Sequence, residues 1–194
     1  MGKIIIAAAM ALLVSASQAN VKLYVFDCGH LYFDDVSNFG LTNEETDVRE
    51  LFVPCYLIDH PDGKMIWDAG LPLDMVGLRE PDATSWYETS LIDQLSDIGV
   101  GPQDIDFAAY SHFHYDHTGA ANAFNDATLL IQEAEYVAAF HEPESNPVFR
   151  PPLYSNLVDS TKILLHGDYD VFGDGKVMIL SAPGHTPGHQ TLKL

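Results

Sequence analysis

The sequence predicts a mixed α/β (α+β) fold with substantial antiparallel content. Three observations lead to this prediction: short apolar, β-rich stretches recur along the chain, turn residues join some of them into hairpins, and the helical patterns between them follow no strict βαβα order. A chain of 194 residues with 47% apolar side chains is long enough for one domain with a buried core. That composition excludes a wholly disordered chain.

The first elements of the mature chain are a strand and a hairpin. Residues 21–26 predict a strand, and the polar, acidic residues 34–50 predict a loop or a short helix. The apolar runs 51–58 and 64–67 flank a His-Pro-Asp-Gly turn, which predicts a β-hairpin.

Later segments mix short helices with strands. Ser90, with Asp93 three residues further on, predicts the start of a helix that Gly99 ends. A second hairpin is expected around the Gly-Asp-Gly turn at residues 173–175. The remaining expectations are a loop at 72–84, strands at 105–110 and 127–131, helices at 120–124 and 133–140, a proline-rich loop at 143–154 and a strand within 184–194.

The net charge of the chain restricts the classes of molecule that it is expected to bind. Lys and Arg total 9 against 28 Asp and Glu, for a formal net charge of −19. So negative a field disfavours nucleic acid and an acidic membrane surface as partners. It favours neutral or cationic small molecules and divalent metals.

Residues 1–19 have the pattern of a signal peptide. Lys3 precedes the apolar run 4–14, and Ser17 and Ala19 stand at the −3 and −1 positions of a cleavage site. The run is too short to cross a bilayer, which needs about 20 residues. We therefore expect an exported, periplasmic or secreted domain at residues 20–194; the alternative for residues 1–19 is a buried first strand.

Two cysteines, Cys28 and Cys55, stand in apolar, strand-like stretches. A disulfide could persist in an exported protein. The favoured expectation is nevertheless two small buried core residues without a bond between them.

Residues 111–119, Ser-His-Phe-His-Tyr-Asp-His-Thr-Gly, hold three of the nine histidines and follow an apolar strand. In an extended segment His112 and His114 point to the same side, so both can hold one metal ion. After a turn, Asp116 and His117 can face a second ion. Imidazole and carboxylate are ligands that zinc prefers. The alternatives are a solvated polar loop and a non-catalytic metal store.

A second histidine loop, residues 182–189, also follows a predicted strand and is fixed by glycine and proline. His185 would bring a third nitrogen to the first ion, and three protein ligands with an open position are typical of catalytic zinc. His189 is expected beside the site or in a structural role. The other histidines of the mature chain are expected at the surface: His30, His60, His141 and His166.

Together these segments resemble the metallo-β-lactamase superfamily. The H-x-H-x-D-H segment, the upstream Trp-Asp-Ala-Gly at 67–70 and the downstream Pro-Gly-His-Thr-Pro-Gly-His at 183–189 match its motifs over essentially the whole mature chain. Within the superfamily the chain is most similar to the N-acyl-homoserine lactonases, which degrade quorum signals (quorum quenching). The short sequence segments that are similar to those of the lactonases lie at residues 22–24, 27–29, 41–44, 51–58, 167–169 and 188–190.

The resemblance implies an αββα sandwich, of which this chain holds the N-terminal half to two thirds, with two zinc ions at one edge. His112, His114 and His185 would hold one ion, and Asp116 and His117 the other.

The resemblance also implies a reaction. A metal-bound hydroxide would open the lactone ring, with Asp116 as the catalytic carboxylate that holds the hydroxide. Asp68 would support the site from a neighbouring strand end. Tyr115 would contact the acyl chain in the substrate pocket, or else be a core aromatic.

The chain departs from the family at its end. Family members carry a bridging aspartate and a late histidine downstream, and this sequence ends at Leu194 without them. We therefore expect a fragment, a truncated reading frame or a decayed copy that holds one tightly bound ion or fewer. The rival interpretations are another hydrolase of the same fold, a zinc β-lactamase or a thioesterase, and an inactive metal-binding remnant.

Overall fold

The computed structural model describes residues 20–78 and 83–194, which form two β-sheets and several short helices. The predicted signal peptide and residues 79–82 of the predicted loop lie outside the described residues. The mixed sheet architecture confirms the predicted α/β class. Within the described part of the chain, no helix combines the length and apolarity that a bilayer crossing requires.

The larger sheet supplies the edge at which the histidine segment emerges. Its strands are β1 (Lys22–Tyr32), β2 (Glu50–His60), β3 (Gly63–Trp67), β4 (Ser85–Trp86), β5 (Phe107–Ala109), β6 (Thr128–Gln132) and β7 (Lys162–Leu165). Among the described residues their order is β4-β1-β2-β3-β5-β6-β7. β1, β2 and β3 pair antiparallel, whereas β3, β5, β6 and β7 run parallel. The carboxyl ends of β3 and β5 therefore meet at one edge.

The smaller sheet lies on one face of the larger. It consists of β8 (Tyr169–Asp170), β9 (Met178–Ser181) and β10 (Gln190–Lys193), in the order β10-β9-β8. Ile179 of β9 packs in one apolar cluster with Met65 and Trp67 of β3. Ile66, between them, points to the opposite face and joins a second cluster with Leu91 and Leu95. The second half of β3 is thus buried on both faces, which explains the three consecutive apolar residues at 65–67.

The first hairpin and the capped helix confirm their predictions. His60 and Gly63 pair across the turn between β2 and β3. Helix α1 (Leu91–Asp97) begins after Ser90, whose hydroxyl accepts the Asp93 N–H at 3.0 Å. The helix buries Leu91 and Leu95, and packing of this apolar face rather than helix propensity stabilises so short a segment.

The other helical segments are shorter. Helix α2 (Tyr115–Thr118) lies within the histidine segment, and helix α3 (Glu133–Tyr136) continues as a π-helical turn through His141, so the predicted helix at 133–140 is confirmed. Single 3₁₀ turns occupy Ser37–Phe39, Leu73–Met75, Pro102–Asp104, Ala121–Phe124, Pro143–Ser145, Pro151–Leu153 and Ser155–Val158.

Two features of the sheets differ from expectation. Strand β7 was not predicted, because its Lys-Ile-Leu-Leu sequence is short and lacks alternation. The second hairpin is wider than expected: β8 ends at Asp170, and Val171 and Phe172 belong to the connection. The Asp170 carboxylate accepts the N–H groups of Gly173 and Gly175, and so closes the longer turn.

The expectation of two unbonded cysteines is wrong. Cys28 and Cys55 form a disulfide, with their Cα atoms 5.8 Å apart. In the β1–β2 register Cys55 lies opposite Phe26, and the pairing shifts between Asp27 and His30. This bulge brings Cys28 within bonding distance of Cys55, and a bulge cannot be located from strand patterns alone.

Replacing both cysteines with alanine is expected to lower the free energy of unfolding by about 3 kcal/mol. The bond joins residues 27 positions apart and so restricts the unfolded chain. Urea unfolding with and without a reducing agent measures the effect, and the double variant is the control because reductant should leave it unchanged. Equal midpoints for the oxidised and reduced wild type would contradict the prediction.

Apolar side chains are exposed on one face of the sheets. β10 is an edge strand of the smaller sheet, and Leu23 and Val25 on β1 are 45% and 57% exposed. Beside them lies an open cleft of about 430 Å³ that reaches Ser111 and His189.

Candidate metal centre

The histidine segment begins where the parallel strand β5 ends. Asp68 follows the neighbouring parallel strand β3, so both segments reach the same edge of the sheet. Residues at this edge of parallel strands are the usual place for a site in α/β folds. Gly119 ends the segment against the chain that leaves β3: its N–H donates to the Gly70 carbonyl at 2.7 Å, and a Cβ there would lie 2.1 Å from the Leu71 backbone.

His112, His114 and His185 converge, which confirms the predicted arrangement of these side chains. One ligand nitrogen from each lies within 4.8 Å of the others. The ring centroid of His112 lies 4.5 Å from that of His114 and 4.6 Å from that of His185. His112 and His114 are buried, whereas His185 is exposed on its loop. The cluster therefore has a buried floor and one side open to solvent.

Burial keeps the two buried rings neutral. It lowers the pKa of His112 far below its ordinary value and that of His114 to about 4, and the neighbouring histidines add to both shifts. A neutral imidazole has a free lone pair, which is the form that binds a metal. The donor set and its protonation thus fit zinc or a similar borderline ion.

Asp116 and His117 lie beside the cluster and face it. The centroid of the His117 ring is 4.1 Å from that of His112, and His117 Nε2 lies 3.4 Å from Asp116 Oδ2. Burial alone would lower the pKa of His117, but Asp68 and Asp116 outweigh it and raise that pKa to about 10. His117 is therefore an imidazolium between two carboxylates and must lose a proton before it can bind an ion.

The Asp68 side chain connects the end of β3 to the histidine segment that follows β5. Its Oδ1 accepts the Ser111 N–H at 2.6 Å, and its Oδ2 accepts the Ser111 hydroxyl at 3.0 Å and faces His117 Nδ1 at 3.0 Å. The residue is buried and its φ of 60° is in the left-handed region, where a non-glycine residue is strained. Asp68 thus positions the His117 ring, and this geometry is compatible with the predicted supporting role.

Several contacts of the site were not predicted. The Asn146 side-chain amide donates to His114 Nε2 at 2.8 Å, and the Arg150 guanidinium lies over the half-buried Tyr115 ring at 4.1 Å. Both residues belong to the segment expected as a proline-rich loop, whose composition gives no sign of its partner. The ring centroid of His189 is 5.1 Å from that of His112, as expected for a residue beside the site.

The expected surface position of His60 is wrong. The ring is buried, stacks on Phe172 at 4.0 Å and faces Asp174 at 3.2 Å. His30 is half-buried and contacts Asp27 and Glu50. Each partner except Asp27 is distant in sequence, so no local pattern reveals these contacts.

Replacing His114 with glutamine should flatten the acid dependence of stability in the metal-free protein. His114 ionises near 6.5 when unfolded and near 4 when folded, so the stability it supplies above pH 6.5 is lost as the pH falls toward 4. The free energy of unfolding that this single group contributes should differ by about 1 kcal/mol or more between the two ends of that pH range. Urea unfolding with a chelator at pH 7.5 and 4.5 tests this, with the exposed His166→Gln as control. Identical slopes for both variants would contradict it.

Comparison with known proteins agrees with the fold. The family model for the metallo-beta-lactamase superfamily matches residues 48–194. The N-acyl homoserine lactonase of a Bacillus species is 33% identical over 183 residues, which span 88% of this chain and 69% of that protein. The lactonase AttM of Rhizobium johnstonii is 31% identical, with 89% and 70% coverage.

Solved structures show the same relationship. A quorum-quenching N-acyl homoserine lactone lactonase superposes with a TM-score of 0.73 at 29% sequence identity. The superposition covers 90% of this chain and 69% of the lactonase chain. A second N-acyl homoserine lactone hydrolase, crystallised with N-hexanoyl-L-homoserine at its catalytic metal centre, superposes with a TM-score of 0.67 at 26% identity. The chain belongs to the metallo-β-lactamase superfamily.

Proposed function

We propose that this protein is a zinc-dependent hydrolase that opens the lactone ring of N-acyl-homoserine lactones. The observation that carries the proposal is the converged cluster of His112, His114 and His185 at the sheet edge. Relatives at 31–33% identity over nearly nine tenths of the chain are lactonases, which supports this substrate class.

His112, His114 and His185 would hold one zinc ion and leave its fourth position open toward solvent, the arrangement of catalytic zinc. Asp116 and His117 would contribute to a second ion. Two protein ligands fall short of the usual four, and His117 is protonated in the metal-free site. Metal analysis of this chain should therefore find one tightly held zinc ion. Two tightly held ions would contradict this stoichiometry.

A bound zinc ion would supply a Lewis acid for the lactone carbonyl and lower the pKa of a bound water. The protein would supply the rest of the chemistry. The Asp116 carboxylate faces the cluster and can accept the proton of the attacking water. The pKa of Asp116 is held below its usual value, because His117 outweighs the effect of burial, so this carboxylate is ionised at neutral pH.

An acyl chain has apolar surface to contact near the cluster. Tyr115 precedes Asp116 and is half-buried beneath Arg150. The open cleft beside Ser111 and His189 is lined mainly by apolar side chains: Leu23, Tyr56, Trp67, Leu192 and Leu194. A neutral lactone enters such a site without opposing the net charge of −19, whereas nucleic acid and acidic membranes are repelled.

Export from the cytoplasm is part of the proposal. The signal-peptide pattern of residues 1–19 motivates it, and the Cys28–Cys55 disulfide supports an oxidising compartment. Expression of the whole chain in a bacterium, followed by mass spectrometry of the periplasmic or secreted protein, should find Asn20 at the mature N-terminus. An intact chain confined to the cytoplasm would contradict export.

The activity is tested by ring opening of a long-chain N-acyl-homoserine lactone, followed as proton release with zinc present and again after chelation. We expect turnover that requires zinc and exceeds that with a β-lactam or a thioester. Preference for either of those would indicate another hydrolase of this fold. Zinc binding without turnover of any of the three would indicate a metal-binding remnant.

A further inference from the structure

Glu135 is a buried carboxylate that touches both histidine segments. The residue lies on α3 and is 1% exposed. Its Oε1 accepts the Phe113 N–H at 2.9 Å, and its Oε2 accepts the Gly188 N–H at 2.9 Å. Burying a carboxylate is costly unless hydrogen bonds compensate, and bonds to an ionised acceptor are stronger than neutral ones.

The two amides that Glu135 binds belong to the segments that carry the cluster. Phe113 stands between His112 and His114 in the sequence. Gly188 stands three residues after His185, in the loop that joins β9 to β10. One side chain thus connects two segments that are 75 residues apart in sequence and that together supply all three nitrogens.

The approach of the loop to α3 is close enough to require glycine. A Cβ on Gly188 would lie 2.3 Å from Glu135 N and 2.6 Å from Glu135 Cβ. The backbone of the loop therefore packs directly on the helix. No other residue type would let the Gly188 N–H reach the carboxylate without moving the loop.

We propose that Glu135 is a positioning residue for the metal site: its carboxylate sets the distance between the His112–His114 pair and His185, and so determines the zinc affinity. The inference rests on the proposed zinc site and adds to it a residue that is neither a ligand nor in contact with substrate. It acts through the backbone N–H groups of its two partners.

The test is the zinc affinity of Glu135→Gln, measured by competition with a chelator at a temperature at which all variants are folded. The carboxamide keeps the volume and one acceptor oxygen but turns an N–H group toward the second amide. We expect the Kd for zinc to rise about 10- to 100-fold, the range for losing a group that orients ligands. Glu135→Ala should weaken binding further.

Two more measurements separate positioning from general stability. Ser160→Ala is the matched control, because it also removes a hydrogen bond of a buried side chain: the Ser160 hydroxyl donates to the Asn125 carbonyl at 2.7 Å, outside both histidine segments. Its zinc affinity should equal that of the wild type. Hydrogen exchange of the metal-free protein should show the Phe113 and Gly188 amides protected in the wild type and less protected in Glu135→Gln.

The outcomes distinguish the two proposals. Zinc affinity of Glu135→Gln within twofold of a zinc-binding wild type would overturn the role of Glu135 and leave the zinc site standing. An equal loss of affinity in Ser160→Ala would overturn it too, because stability alone would then explain the effect. A wild-type chain without zinc affinity would overturn the site itself, and with it any role of Glu135 toward the metal.

Discussion

His185→Ala is expected to weaken zinc binding by more than about 100-fold while leaving the fold intact. The loss should exceed the 10- to 100-fold range for residues that only orient ligands, because a direct ligand is removed. His185 is exposed, and surface substitutions usually change stability by no more than about 0.5 kcal/mol. Competition with a chelator measures affinity, and thermal unfolding of the metal-free protein measures stability.

The exposed His166→Ala provides the matched control. It removes an imidazole from the surface but not from the cluster, so both zinc affinity and melting temperature should stay at wild-type values. Zinc affinity of His185→Ala close to that of the wild type would show that the ion is held elsewhere. A large fall in melting temperature would show that the loop, rather than the ligand, had been lost.

The convergence of the cluster could be predicted because each part of it is local. The H-x-H spacing places two rings on one side of an extended segment, and the glycines and prolines around His185 restrict its loop. Both segments follow apolar strands, and strand ends are where a sheet presents side chains to a site. The family resemblance then implied that the two segments meet, which spacing alone cannot establish.

The remaining contacts depend on residues distant in sequence. Glutamate is a common residue in exposed helices, so nothing in the sequence marks Glu135 as special. Its hydrogen-bond partners lie 22 and 53 positions away. Asn146 reaches His114 from a loop whose prolines predict only irregular structure. The periodic pattern of apolar residues does not predict such contacts, because they form only when the sheet edge and the loops pack together.

The cysteines show the same limit at shorter range. Both strands were predicted, yet the bond depends on the register shift within β1. A register that slips by one residue turns every following side chain to the opposite face of the sheet. The sequence does not reveal this bulge, so the relative position of Cys28 and Cys55 could not be derived from it. The expectation of unbonded thiols followed from the apolar, strand-like surroundings of both residues.

Asp116→Asn is expected to lower lactone turnover by about 100-fold or more and to change stability by about 1 kcal/mol at most. The carboxylate lies 3.4 Å from His117 Nε2 and is 17% exposed. Asparagine fills the same space but cannot accept a proton from the attacking water or carry the charge that faces the cluster. Zinc held by the three histidines should remain bound, since the substitution leaves those nitrogens in place.

Turnover with saturating zinc, zinc content and thermal unfolding separate these effects, with the exposed Asp126→Asn as a matched control for the loss of one negative charge. We expect the control to keep wild-type turnover. The Asp116→Asn variant should fail in the rate of ring opening rather than in zinc content, because His117 still pairs with Asp68 at 3.0 Å and holds its place. Turnover within a few-fold of the wild type would mean that the Asp116 carboxylate neither accepts the proton nor orients the water, and another base would have to be sought.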